Sequence, residues 1–333
     1  MIRYIVRRLL WLVVVAVGMT LVTFVITHLI PADPAKYAAG LDATAEQIER
    51  VKRDLGLDRP LPEQYLIYLR NLARGDLGTS IITRRPVRDD LLDYFPATLE
   101  LTLFAVLAVV LIGVPLGVVS ATRRGGLCDF LTRILATLWA AIPVFWFGLL
   151  LQWGFYLKLG WLPAGERLDP GLVLARITGL VTMDAALQAN GVALWSALQH
   201  LVLPVLSLAL ARVAIVARMT RASMLEVLGA DHIRTARAKG LGEHTVIYRH
   251  ALKNAALPVL TTLGTQVGFL LGGAVLVEAI FQWPGIGRYA VSSITSVDFP
   301  AIMGVTLLSS AVFVLVNLMV DVLYVFVDPR IQY

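Results

Sequence analysis

Six long apolar runs follow one another along this chain, separated by segments that are rich in charged residues. They cover residues 9–30, 98–121, 130–157, 201–217, 259–281 and 301–327. A helix needs about 20 residues to cross the hydrocarbon core of a bilayer, and each run is close to this length or longer. The pattern therefore predicts an all-α integral membrane protein with six transmembrane helices. Pro143 is expected to kink the third helix, and Pro204 is expected to interrupt the fourth.

The charges that flank the apolar runs predict how the helices are oriented. Three arginines precede the first run, and short basic segments follow the second and fourth runs. Because cytoplasmic segments carry the excess of Lys and Arg, both termini are predicted to lie in the cytoplasm. The first run is too long for the core of a signal peptide and lacks a convincing cleavage site, so we interpret it as an uncleaved helix.

The longest polar segment, residues 31–97, is predicted to form a helical cap on the extracytoplasmic side. Its ten Lys and Arg nearly balance its eleven Asp and Glu. Residues 44–55 predict an amphipathic helix that begins with a capping box and stops at Gly56, and residues 62–73 predict a second helix. We therefore divide the chain into a first helix (1–30), the cap (31–97) and a membrane core (98–333).

A polar loop of about residues 219–258 separates the fourth and fifth runs. From Arg218 to its end it carries seven Lys and Arg against three acidic residues, which predicts a cytoplasmic location. An alanine-rich helix is predicted over residues 234–241 and a second helix over residues 243–254, before Pro258 opens the fifth span. A basic loop that only sets topology would have a similar composition.

Glycines recur every four residues in the fifth run. Gly264, Gly268 and Gly272 share one helical face, which another helix can approach closely. We expect this face to pack against a partner span, with Gln266 and the edge of the face lining a transport pathway. Ordinary packing within the chain explains the same spacing nearly as well.

The end of the fifth run carries a carboxylate and a turn signal. Glu278 is expected to face protein or water rather than lipid, and Trp283, Pro284 and Gly285 are expected to turn the chain at the outer interface. In the fourth run, Arg212 is expected to extend towards the cytoplasmic face, with contact to a transported solute as the alternative.

Composition excludes several classes of function. The chain is 58% hydrophobic and 16% charged, whereas soluble domains carry about 25% charged residues. Its net charge of +6 comes from the membrane-flanking segments, so nucleic-acid binding is not expected. The sequence contains no GxxxxGK[ST] loop, no His, Cys and carboxylate cluster at metal-ligand spacing and no G-x-S-x-G stretch. We therefore expect no catalytic residue, no metal site and no ATPase activity in this chain itself.

Two stretches of the polar loop carry a resemblance to a known family. The stretches RTARAKGL (234–241) and VIYRHALKNAALP (246–258) resemble the EAA loop of the permease subunits of ABC importers, in the dipeptide, oligopeptide and nickel branch. Thr235 or its neighbour takes the place of the signature glutamate, and the closing Leu-Pro is displaced to residues 257–258. The stretches at 75–80, 86–96, 95–102, 272–304 and 317–331 also resemble this branch, so the resemblance covers essentially the whole chain.

The resemblance implies that the polar loop is a coupling helix that contacts an ATPase subunit. The implied coupling residues are Asp231, Arg234, Thr235, Ala236, Arg237, Ala238, Lys239, Gly240, Leu241 and His250. The small residues Ala236, Ala238 and Gly240 are expected to let the partner surface approach closely.

The resemblance also implies the assembly and its location. A second, homologous permease chain, two ATPase subunits and an extracytoplasmic solute-binding protein are the expected partners, in the inner or plasma membrane of a bacterium or archaeon. ATP and Mg²⁺ are expected on the ATPase subunits, with no cofactor bound by this chain.

Di- or oligopeptides are the expected substrate, and nickel chelates, glutathione and oligosaccharides are alternatives within the same family. A self-sufficient channel or secondary transporter is an alternative from a different class. Its usual marks are inverted repeats and paired broken helices with charges at the midplane, and the sequence contains no internal repeat.

Overall fold

The computed structural model describes residues 2–29, 34–39, 43–54 and 56–327, and the regular elements in this part of the chain are helices. They are α1 (Ile2–Leu29), α2 (Pro34–Ala39), α3 (Ala45–Asp54), α4 (Leu61–Ala73), α5 (Val87–Ala108), α6 (Val114–Thr122), α7 (Leu127–Ala141), α8 (Val144–Leu151), α9 (Val181–Leu187), α10 (Gly191–Leu228), α11 (Asp231–Ala238), α12 (Glu243–Thr245), α13 (Leu252–Ile280), α14 (Ile286–Thr295) and α15 (Phe299–Val327). Segments of π-helix follow α5, α8 and α12 at Val109–Gly113, Gln152–Lys158 and Val246–Ala251.

Three described helices are long and apolar enough to cross a membrane, namely Val87–Thr122, Gly191–Leu228 and Phe299–Val320. Two bent helix pairs raise the number to five if each pair counts as one span. The chain is therefore built as a helical membrane protein with several spans. The count of six spans, which includes the first apolar run, stays a prediction.

The structure moves several predicted helix ends. The second apolar helix begins at Val87 instead of residue 98, and Asp89 and Asp90 lie in its first turn, where the helix dipole favours acidic side chains. The expected effect of Pro143 on the third helix is confirmed, but the result is a break rather than a mild kink. The two halves, Leu127–Ala141 and Val144–Lys158, meet there at an angle of 104°.

Two other prolines do not end helices. The predicted interruption at Pro204 is wrong, because α10 runs for 38 residues through it. Residues 243–254 are helical as predicted, but they do not form a helix separate from the fifth span. Only α12 and a π-helical segment precede α13, and Pro258 lies inside α13. The wider π turn absorbs an extra residue, so the chain passes from the polar loop into the span without leaving helical geometry.

The chain divides into two compact units, and the first comprises the residues up to Pro96 together with Pro284–Val314. Its hydrophobic cluster includes Val87, Tyr289 and Ala301. The predicted capping box at the start of α3 is confirmed: the backbone N–H of Thr44 donates to Gln47 Oε1 at 2.8 Å, and that of Gln47 donates to Thr44 Oγ1 at 3.4 Å. Gly56 follows α3 with a φ of +68°, which glycine adopts without steric cost.

The second unit comprises Ala97–Trp283 and the chain from Leu315 onwards. Its centre is α10, which contacts α6, α7, α8, α9 and α13. One hydrophobic cluster, which includes Leu203, Leu270 and Phe281, fills the space between these helices. A second cluster lies beneath α11, and it determines how the polar loop is held.

Candidate functional site

The polar loop folds into α11, an eight-residue helix with two different faces. Ile233 and Ala236, three residues apart on one face, are 0% and 6% exposed. They pack in a cluster with Val118, Met224 and Val246, which we call the anchor cluster. Burying a side chain such as Ile233 contributes about 2 kcal/mol. Because the anchor cluster draws on α6, α10 and the π segment before α13, α11 is fixed to several helices at once.

The other face of α11 and the turn after it are exposed. The predicted coupling residues on this surface are Asp231, Arg234, Thr235, Arg237, Ala238, Lys239, Gly240 and Leu241, and we call them the coupling surface. The helix itself covers Asp231–Ala238 instead of the predicted 234–241, so the last three of these residues follow it. Gly240 has a φ of +75°, as expected of a residue that reverses the chain after a helix.

Two predicted coupling residues do not lie on this surface. Ala236 faces the anchor cluster, so the expectation that it opens an approach for a partner is wrong. Its small size serves packing within the chain instead. His250 is only partly exposed and lies in the π segment Val246–Ala251, where its carbonyl accepts a hydrogen bond from Asn254 Nδ2 at 2.7 Å.

Ion pairs order the coupling surface without covering it. The Nη2 atom of Arg234 lies 3.0 Å from Asp231 Oδ1. Arg237 donates to Glu243 from both Nε and Nη2, at 2.7 and 3.3 Å. The hydrogen bond to Glu243 raises the pKa of Arg237. Pairs this exposed contribute little to stability, so their charged groups stay available to a partner.

An ion pair with a buried carboxylate lies near the polar loop, and it was not predicted from the sequence. Arg221 on α10 makes a bidentate contact with Asp129 on α7, at 2.7 and 2.9 Å. Ser120 Oγ and the N–H of Gly125 also donate to the Asp129 carboxylate, which is 3% exposed. The pair ties α7 to α10 close to the anchor cluster. No local sequence signal identifies it, because its two members are 92 residues apart.

The glycine face of α13 makes a close contact within the chain. A Cβ added at Gly264 would lie 2.6 Å from Val320 Cγ1 on α15. Gly268 is partly exposed, and the surroundings of Gly272 lie outside the described residues. Gln266 is 7% exposed, and its Oε1 accepts a hydrogen bond from Arg212 at 3.1 Å. Arg212 thus forms a hydrogen bond to the neighbouring helix α13. The prediction that its side chain extends towards the cytoplasmic face did not include this bond.

At the other end of α13, the predicted polar residues are buried in protein. Glu278 is fully buried and accepts a hydrogen bond from Thr98 Oγ1 at 2.5 Å, and Trp283 Nε1 donates to the carbonyl of Ala97 at 2.8 Å. The predicted turn is present, since Trp283, Pro284 and Gly285 lie between α13 and α14. Pro284 and Gly285 belong to the first unit.

A second buried ion pair supports the loop before α10. Arg167 donates to Glu100 at 2.5 Å and to the carbonyl of Gly179 at 2.8 Å. The other oxygen of Glu100 accepts hydrogen bonds from the N–H and the hydroxyl of Thr182. This network fixes residues 167–182 to α5. Among the described residues, no group of three or more His, Cys, Asp or Glu could hold a metal ion.

Comparison with known proteins identifies the family. Residues 113–333 match the binding-protein-dependent transport system inner membrane component, and residues 1–102 match the N-terminal region of such membrane components. The dipeptide transport system permease of Alkalihalophilus pseudofirmus is 47% identical over 333 residues, 100% of both chains. A probable D,D-dipeptide transport system permease of Escherichia coli is 48% identical over 98% of this chain and 97% of its own. The glutathione transport system permease of Pectobacterium atrosepticum is 41% identical over the full length of both.

Helical membrane architecture and these matches define a transport permease. The chain belongs to the family of binding-protein-dependent transport system inner membrane components, in the peptide branch of the ABC importers. It is a multi-pass protein of the bacterial inner membrane, and the family is a permease component rather than a catalyst.

Proposed function

We propose that this chain is one of two permease subunits in an ATP-driven importer of short peptides. The second subunit is a homologous permease, two ATPase subunits bind the cytoplasmic side, and an extracytoplasmic binding protein delivers the peptide. ATP and Mg²⁺ bind to the ATPase subunits, and this chain binds no cofactor of its own. The family match supports the binding-protein-dependent part of this proposal directly.

The proposed coupling mechanism depends on α11 having one exposed, charged face and one buried face. Its charged coupling surface is available to an ATPase subunit, while Ile233 and Ala236 hold it in the anchor cluster. A force applied to α11 therefore reaches α6, α10 and α13 through close-packed side chains, which resist deformation. ATP-driven movement of the ATPase subunits would tilt these helices and open the pathway alternately to each side.

The proposed topology has six spans and both termini in the cytoplasm. The first span lies within residues 1–30, residues 31–97 form an extracytoplasmic cap, and residues 98–333 form the permease core. The basic character of residues 218–258 supports a cytoplasmic location for the coupling surface.

A stripe of α13 supports the proposal that a second permease completes the pathway. Thr261, Thr265, Phe269 and Leu276 recur at the spacing of one helical face, and all four are exposed. The Gly264–Val320 contact lies to one side of this stripe. Both threonine hydroxyls donate to carbonyls of α13 itself, at 3.0 and 2.8 Å. Because threonine is enriched where membrane helices pack against each other, we assign the stripe to the pathway and to the contact with the second permease.

The proposed substrate is a dipeptide. The supporting observation is that two of the relatives described above are named for dipeptide transport. Glutathione is the second candidate, because a relative of 41% identity over the full length is named for it.

The first test of the assembly is purification of this chain from its native membrane in mild detergent, followed by mass spectrometry. We expect two ATPase subunits and a second permease to accompany it. A chain that purifies alone, or as a simple homo-oligomer without an ATPase, would favour a channel or secondary transporter.

Gly240→Trp is expected to detach the ATPase subunits while leaving the chain inserted in the membrane. Nothing lies within 4 Å of a Cβ added at Gly240, so the bulk would project into the partner rather than into this chain. The positive φ adds about 1 kcal/mol of local strain for any other residue. Co-purified ATPase per permease measures the effect.

Two alanine variants separate bulk from strain. Gly240→Ala introduces the strain without the bulk, and Gly242→Ala introduces neither, because Gly242 has a φ of −61° and open space around it. We expect both to retain the ATPase subunits. Equal loss in Gly240→Ala and Gly240→Trp would contradict a docking surface at this position.

A further inference from the structure

Arg212 is an arginine within a membrane-spanning helix, and its guanidinium lies beside the exposed stripe of α13. It is near the middle of α10, donates to Gln266 Oε1 at 3.1 Å and lies over the ring of Phe269, with 5.2 Å between the guanidinium carbon and the ring centroid. Phe269 is 60% exposed and belongs to the stripe. Gln266 Nε2 in turn donates to Thr265 Oγ1 at 3.4 Å. A chain of polar contacts thus leads from Arg212 to the open face.

The described part of the chain supplies no carboxylate to Arg212. Its contacts there are a neutral amide and an aromatic ring, whereas Arg167 and Arg221, which are also partly buried in the second unit, each contact a carboxylate. An intramembrane arginine is costly unless it faces water or meets an opposite charge. Because Arg212 is partly exposed, its unused donors are open to a group that enters from the side of the stripe.

The chemistry of this position fits a carboxylate. A guanidinium presents a planar set of donors that matches a carboxylate in a bidentate contact. Gln266 is 7% exposed and holds one edge of the guanidinium in place, which leaves the remaining edge free. The exposed face of Phe269 offers an apolar surface next to this charge, as a peptide side chain beside its C-terminal carboxylate would require.

We propose that Arg212 binds the C-terminal carboxylate of the peptide as it crosses the membrane. This inference rests on the proposed function, since it assumes that the exposed stripe of α13 lines the pathway. Gln266 is a positioning residue, because it orients the guanidinium without contacting the carboxylate. Binding at this point gives the pathway a preference for free acids over neutral peptides, independent of the binding protein.

The test uses the complete transporter reconstituted in proteoliposomes, with Ala-Ala and its C-terminal amide as probes. Uptake is divided by the ATPase activity that the loaded binding protein stimulates, so that selection by the binding protein cancels. For Ala-Ala, Arg212→Gln is expected to lower this ratio at least tenfold, and Arg212→Lys to lower it less. For the amide, wild type and Arg212→Gln are expected to give the same ratio.

A second variant keeps Arg212 in place but pairs its charge with a carboxylate from this chain. Gln266→Glu supplies a carboxylate within bonding distance of Arg212, so the complex is expected to be at least as stable as wild type yet to lose uptake of Ala-Ala. Arg218→Gln is the matched control, because Arg218 is an exposed arginine on α10, the helix that carries Arg212. It is expected to change uptake less than twofold.

The outcomes distinguish the inference from the proposed function. If wild type takes up neither probe and neither stimulates its ATPase, the peptide-importer proposal fails, and this inference fails with it. If wild type transports Ala-Ala and Arg212→Gln equals it, only the inference fails. An equal loss for Ala-Ala and its amide would also overturn the inference, because it would make Arg212 a structural residue or the partner of a carboxylate on the second permease.

Discussion

Asp129→Asn is expected to destabilise the permease by about 3 kcal/mol, because it leaves the Arg221 guanidinium largely buried without its opposite charge. Asp129 is 3% exposed and receives four hydrogen bonds, two of them from Arg221. For a unit of about 200 residues, this loss corresponds to a fall in the thermal midpoint of roughly 6–12 °C. Thermal unfolding of the purified complex in detergent measures it.

A double-mutant cycle isolates the pair from the other bonds to Asp129. Arg221→Gln alone leaves the carboxylate buried, whereas the double variant removes both charges, so its loss is expected to be smaller than the sum of the two single losses. Arg237→Gln is the matched control, because it removes a similarly short arginine–carboxylate contact whose partners are 44% and 60% exposed. Its expected cost is at most about 1 kcal/mol. Equal midpoints for Asp129→Asn and Arg237→Gln would contradict the structural role.

The Asp129 variant also tests how the coupling surface is connected. The pair ties α7 to α10, and α10 contributes Met224 to the anchor cluster beneath α11. We expect Asp129→Asn to hydrolyse ATP with less peptide moved per ATP, at a temperature where the complex is still folded. This loss of coupling distinguishes it from Gly240→Trp, which is expected to lose the ATPase subunits themselves.

Features that depend on neighbours in sequence were predictable. The capping box at Thr44 and Gln47, the stop at Gly56 and the break at Pro143 each follow from the local preferences of a few residues. The coupling surface was also visible, because its charges stand out in an apolar chain. By contrast, the passage of α10 through Pro204 reflects the packing of its buried neighbours Leu203, Val205 and Leu208, which outweighs the local effect of a proline.

Features that depend on distant residues were not predictable from a single sequence. Glu100 with Arg167 and Asp129 with Arg221 join residues 67 and 92 positions apart, and each residue alone resembles an ordinary flanking charge. The inward face of Ala236 also depends on distant residues, since Val118 and Met224 form part of the cluster that covers it.

Glycines four residues apart occur at two places in this chain, but only one of the two was predicted to be a close helix contact. Gly264, Gly268 and Gly272 attracted attention because the spacing occurs twice in succession. The pair Gly113 and Gly117 has the same spacing, and Gly117 lies in a closer contact than Gly264 does. A Cβ at Gly117 would lie 2.4 Å from Thr220 Cβ and 2.7 Å from the carbonyl oxygen of Ala217.

Gly117→Ala is therefore expected to destabilise the second unit more than an alanine at Gly264 does. The added methyl group would meet the backbone of α10, which cannot move aside as the end of a side chain can. Overpacking of this kind costs about 1–3 kcal/mol or more, and it outweighs the gain of about 0.5–1 kcal/mol that alanine brings to a helix. Because α6 and α10 both contribute to the anchor cluster, the variant is also expected to lower peptide uptake per ATP.

Alanine substitutions at two other glycines provide a comparison for the loss of stability in Gly117→Ala. At Gly264 the three nearest atoms are all side-chain carbons of Val320 and none belongs to the backbone, so Gly264→Ala is expected to cost less than Gly117→Ala. At Gly154 nothing lies within 4 Å of the added Cβ, so Gly154→Ala is expected to be neutral or slightly stabilising. The expected order of thermal midpoints is Gly154→Ala highest, then Gly264→Ala, then Gly117→Ala. A Gly117→Ala protein as stable as Gly154→Ala would mean that α6 and α10 do not approach as closely as this structure places them, and the route from the coupling surface into the membrane core would need to run through α13 instead.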